Sequence, residues 1–96
     1  MLFNSIQSAQ PVERVQTGVR IEKRILKVMK ALAEYHDLSL GDLIEGVVLH
    51  AFEGKCAFGA DSLKLIAALK NIYHFDLDAG ASHKLIERKT KTKKRS

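Results

Sequence analysis

The side chains able to ligate a metal or move a proton are few in this chain, and they are scattered. His36, His50, His74, His83 and Cys56 fall at no metal-ligand spacing, and a structural or catalytic zinc needs three or four convergent donors. His36 and His50 lie near helical apolar stripes, where a packing or edge position accounts for them. Asp76 and Asp78 are paired acids in a polar stretch, which reads as a turn rather than a general acid–base pair. No nucleophile elbow, phosphate loop or dinucleotide fingerprint is present. The sequence therefore points to no catalytic residue, no cofactor and no metal, and the expected class is not an enzyme.

The remaining chemistry belongs to the cations. Residues 84–96 hold seven Lys or Arg and one Glu, a net of +6, whereas residues 1–83 hold nine basic and ten acidic groups. The net charge of +5 thus lies in a tail. Within the body, residues 13–30 carry Arg14, Arg20, Lys23, Arg24, Lys27 and Lys30 against Glu13 and Glu22. Residues 31–83 carry Lys55, Lys64 and Lys70 against eight acids, so one end of the body is positive and would draw a polyanion.

The elements that must position these cations follow from periodicity. Residues 1–14 contain the only Pro and no sustained period, as a flexible arm would. Val15, Thr17, Val19 and Ile21 then alternate with Gln16, Gly18 and Arg20, the period-two sign of a strand with one buried face. No later segment alternates comparably. A lone strand leaves its backbone groups unpaired, so the expected partner is the same strand of a second copy.

The span 22–36 reads as a helix, with Ile25, Met29, Leu32 and His36 forming its stripe and Leu26 and Ala33 widening it. A turn follows over residues 37–40, where Asp37 tolerates a left-handed backbone. Ser39 suits an N-cap, and Asp42 the positive first turn. The second helix, about 40–52, offers Leu43, Ile44, Val47, Val48, Ala51 and Phe52 for burial. That arc is wider than a monomeric two-helix hairpin covers, so a dimer is expected. Residues 53–60 form a connector, and Asp61 or Ser62 caps a third helix reaching about Tyr73. Leu65, Leu69 and Ile72 are its stripe, with Ile66 and Tyr73 alongside, and Phe75 and Leu77 fold back as a hook. Residues 79–96 are expected to be a disordered basic tail, with a short frayed turn at 84–88.

Strand, helix, turn and helix in the segment TGVRIEKRILKVMKALAEYHDLSLGDLIEGVVLHAF resemble the ribbon-helix-helix family, the MetJ, Arc and CopG type of repressor. The resemblance implies a mainly α homodimer, joined through strand 15–21 and helix 40–52. An intermolecular two-stranded antiparallel ribbon would enter the major groove of double-stranded DNA. Residues 15–53 would be this module, and residues 54–78 would add a connector and third helix. Carried over, Val19 and Ile21 face the dimer core, and Gln16, Gly18 and Arg20 face the bases. Arg20 suits guanine and Gln16 adenine; Gly18 departs from the polar residue usual there, has no side chain to read a base, and either lets the backbone approach the duplex or marks a bulge or degenerate reader. The resemblance also sets the second helix's N-terminus, here Ser39, Leu40 and Gly41, against phosphate. Lys23 and Arg24 would flank it, while Lys89, Lys91, Lys93, Lys94 and Arg95 would sweep the backbone without sequence preference.

The expected function is a sequence-specific transcriptional regulator, a repressor of plasmid or antitoxin type. Two other readings compete. One is a dimeric interaction adaptor that keeps the fold but binds nucleic acid only through its tail; helix 61–73 could hold a partner protein in either case. The other is a monomeric helix-turn-helix domain with residues 40–52 in the groove, although Glu45, Leu49 and Glu53 complement DNA poorly. No apolar run reaches the roughly 20 residues needed to span a bilayer. The start MLFNSIQSAQ lacks the features of a secretory signal, and Cys56 has no internal disulfide partner. A cytoplasmic location is expected.

Overall fold

The first helix begins where a carboxylate can satisfy free backbone donors. Glu22 accepts hydrogen bonds from the N–H groups of Arg24 at 2.9 Å and Ile25 at 3.0 Å, and so caps α1 (Lys23–Tyr35). The computed structural model describes residues 9–88. Two further helices follow, α2 (Leu40–Phe52) and α3 (Ala60–Ile72), and then a 3₁₀ turn at Ala79–Ala81. The Ser39 hydroxyl accepts from the Asp42 N–H at 3.1 Å and starts α2, as the sequence predicts. At α3 the expected Asp61 or Ser62 cap is corrected. Gly59 holds the N-cap position without a side-chain bond, Asp61 sits in the first turn, and Ser62 Oγ is hydrogen-bonded to His36 Nε2 at 3.3 Å.

All three helices end in the same way. Leu38 N–H donates to Ala33 O at 2.8 Å, Lys55 N–H to His50 O at 2.9 Å, and Phe75 N–H to Lys70 O at 2.7 Å. Each bond reaches back five residues past a left-handed residue, Asp37 (φ 57°), Gly54 (φ 71°) and His74 (φ 54°) respectively. This is the Schellman arrangement, which satisfies carbonyls that the helix leaves without partners. It also explains the hook. Phe75 follows the left-handed His74, returns over α3, and is half-buried against the core. Lys70 Nζ lies 5.4 Å and the Arg24 guanidinium 5.7 Å from its ring centre, within cation–π range.

α1 packs against both α2 and α3. Val28, Leu32, Ala33 and Leu43 are the buried side chains among the described residues, and Met29, Leu40, Phe58, Leu65, Ile66, Leu69, Tyr73 and Phe75 are packed against them. Serving two neighbours shifts the buried line of α1 from the expected stripe. Val28 joins it, Ile25, Leu26 and Met29 are half-buried, and His36 is exposed. On α3, Ile72 is likewise exposed rather than buried.

α2 leaves most of its apolar arc uncovered within one chain, as an arc too wide for a two-helix hairpin implies. Of the six apolar residues expected to be buried, only Leu43 is buried and Val47 half-buried within a single chain. Ile44, Val48, Ala51 and Phe52 are exposed, Phe52 at 80%. No strand is present among the described residues. Residues 15–21 lie before α1 without regular structure, and among the described residues no backbone hydrogen bond joins them to another segment. The turn expected at 84–88 occurs earlier, at Ala79–Ala81, and residues 84–88 are not helical.

Candidate nucleic-acid interface

Residues 15–21 and the first turns of α1 and α2 are the elements that carry the candidate DNA contacts expected from the sequence. Gln16, Gly18 and Arg20 are exposed, and so are Val15 (79%) and Val19 (72%). Neither face of the alternating segment is covered by its own chain. A Cβ placed on Gly18 would meet no atom within 4 Å, so nothing within one chain requires glycine there.

Arg20 is engaged by an acid 67 positions away. Its Nε donates to Glu87 Oε1 at 3.0 Å, and its Nη2 forms an ion pair with Glu87 Oε2. This two-point contact, chiefly through hydrogen bonding to Glu87, raises the basicity of the guanidinium further. Val19, Ile21 and Leu26 line one part of an open cleft of about 910 Å³ beside this pair, and Leu77 and Leu85 line another.

Lys23 is exposed at the start of α1 and lines the same cleft. Arg24 is a tie within the chain. Its Nε donates to Glu22 Oε2 at 2.9 Å, and its Nη1 donates to His74 O at 2.9 Å and to Asp76 Oδ1 at 3.0 Å. It thereby fastens the cap of α1 to the end of α3. Burial pushes the Glu22 carboxyl up, but hydrogen bonds from Ile25 N–H, the Arg24 side chain and Arg24 N–H outweigh it and leave Glu22 below its ordinary value. Any phosphate contact by Arg24 would have to share it with these partners.

At the start of α2, Ser39 and Gly41 are exposed and Leu40 is half-buried. Arg14 lies over this turn. Its Nε and Nη2 donate to the two carboxylate oxygens of Glu45, each at 2.8 Å, and Nη2 also reaches Asp42 Oδ1 at 3.3 Å. The hydrogen bond from Arg14 is the main cause that lowers the Glu45 carboxyl. Asp42, which would repel a phosphate, thus has a cation across it.

The structure brings Lys23 and Arg20 to one cleft and places Ser39, Leu40 and Gly41 on the separate first turn of α2. Lys89, Lys91, Lys93, Lys94 and Arg95 lie outside the described residues. Sequence reasoning missed Arg14 and Glu87 as participants. The signal for Glu87 was its being the lone acid among seven bases in residues 84–96; Arg14 offered only its place beside the strand. No group of three or more His, Cys, Asp or Glu arranged to hold a metal occurs among the described residues. No described helix is long and apolar enough to cross a membrane. No family model, curated protein or solved structure matches the chain.

Proposed function

We propose that the chain is a homodimeric DNA-binding transcriptional regulator of the ribbon-helix-helix type, acting in the cytoplasm as a repressor. One observation carries the reading. A single chain leaves two apolar rows uncovered on the segments that the fold joins across its dimer axis: Val15, Val19 and Ile21 before α1, and Ile44, Val48 and Phe52 on α2. Complete burial of such side chains is worth about 1.5–3 kcal/mol each, and pairing two copies of residues 15–21 would satisfy their open backbone donors and acceptors. The paired ribbon would carry Gln16 and Arg20 on its outer face, with Lys23 and the capped start of α2 at the flanking phosphates. The exposed Leu63 and Ile72 of α3 offer a further surface that extends the dimer or receives a partner protein.

A second reading, a dimeric adaptor without base reading, is favoured by the Arg20–Glu87 pair and by the absence of a side chain at Gly18. Gel shifts on random and selected duplexes distinguish the two. Under the regulator reading, Arg20→Ala relaxes sequence preference and Lys93→Ala lowers affinity uniformly. Equal losses on every duplex for both variants would leave the adaptor reading standing.

A further inference from the structure

Glu87 holds Arg20 by the two guanidinium nitrogens Nε and Nη2. Both oxygens of Glu87 meet the guanidinium through Nε and Nη2, the two-point geometry that guanine O6 and N7 also present. Glu87 reaches Arg20 from the far end of the described chain. Leu85 and Ile86 line the same cleft as Val19 and Ile21, so residues 85–87 run beside the end of the alternating segment.

We propose that Glu87 gates the reading face, competing with DNA for Arg20 so that the protein engages a base only after the C-terminal segment lets go. The inference rests on the proposed base-reading role of residues 15–21. The gate must be no stronger than its competitor. The two side chains are 83% and 64% exposed, and an exposed ion pair of this kind shifts an equilibrium by at most about five-fold. A bidentate guanine contact discriminates by about 5- to 150-fold. A correct base pair therefore displaces Glu87, whereas a base offering Arg20 nothing leaves the gate shut. The basic run that follows Glu87 in the sequence adds a second lever. A polyanion that draws that run toward its phosphates works against the Glu87 contact, coupling non-specific capture to release of the reader. Deleting the tail would therefore remove a non-specific binder and open the reader at once, so a point variant is needed to separate the two.

Glu87→Gln in the full chain keeps the shape and removes the charge. In the free protein, the side-chain ¹H–¹⁵N signal of Arg20 Nε, assigned by its loss in Arg20→Lys, should move in Glu87→Gln and stay fixed in Glu34→Gln, which has the same net charge. In titrations at low salt, Glu87→Gln should bind its selected duplex about two- to five-fold more tightly, a gain that Glu34→Gln does not share and that vanishes in an Arg20→Ala background. An unmoved Arg20 signal overturns the gate, as does an equal gain in the Arg20→Ala background. If wild type prefers its selected duplex but Glu87→Gln brings no gain, the gate alone fails. If no protein, wild type or variant, prefers any duplex over random DNA, the base-reading role fails and the gate with it.

Discussion

α1 and α2 are of equal length, 13 residues each, both start on a side-chain cap and both end on the same left-handed motif, yet their surfaces meet opposite fates. α1 has a cationic outer face and an inner face that its own chain covers on two sides, with Leu32 at 2% exposure. α2 has few charges and apolar residues around much of its circumference, and its own chain buries Leu43 alone. The difference teaches that backbone satisfaction and side-chain satisfaction are separate problems. The end motifs solve the first for both helices within one chain. The second is solved for α1 and left open for α2, whose apolar excess is what the proposed dimer would bury.

The comparison can be broken from either side. The largest effect on folding should come from α1. Leu32→Ala leaves a cavity where both neighbours meet and should cost about 2–5 kcal/mol in urea unfolding. The matching change on α2, Val48→Asp, should leave the fold of each chain in place by circular dichroism but weaken the dimer more than about ten-fold, through lost burial and a desolvated charge. If Val48→Asp instead sediments as wild type does, the asymmetry between the helices has no bearing on assembly. The start cap of α2 and the end motif of α3 give smaller effects of opposite sign. Ser39→Ala should destabilise by about 1 kcal/mol. His74→Gly should stabilise by about 1 kcal/mol, because glycine adopts the left-handed backbone without the Cβ penalty and the carbonyl that Arg24 holds is retained. Thermal melts measure both.

The smallest effect is that of pH. The Glu22 and Glu45 carboxyls are held below the ordinary value of 4.5. Their contribution is therefore complete above that value and is lost as pH falls through their lower folded-state values. Melting temperature should drop on acidification below about pH 4.5, and Glu22→Gln should shallow that drop.

Features set by near neighbours were legible in the sequence. The bounds of α2, the Ser39 cap and the left-handed Asp37 each depend on residues within one turn, and each stands where it was read. Gly54 and His74 perform the same task as Asp37, but neither was read as a helix terminator, His74 because histidine is not a turn residue by type. The buried line of α1 was displaced because α3 packs on it as well as α2, and periodicity describes one helix at a time. The Arg14–Glu45 and Arg20–Glu87 pairs span 31 and 67 positions, and no local pattern reports which distant acid a surface arginine will meet. Arg24, read as a phosphate contact, is half-buried and tied to Glu22, His74 and Asp76 for the same reason.

The central claim is that residues 15–21 pair with the same residues of a second copy. Equal amounts of ¹³C,¹⁵N-labelled and unlabelled 96-residue chain, mixed and refolded together, test it through isotope-filtered NOE spectra. The account predicts intermolecular NOEs that place the Val19 methyl groups of one protomer against the partner's residues 15–21, together with contacts from Val48 and Phe52 across the axis. Intramolecular NOEs alone, from a particle sedimenting as a single chain at the same concentration, would contradict it.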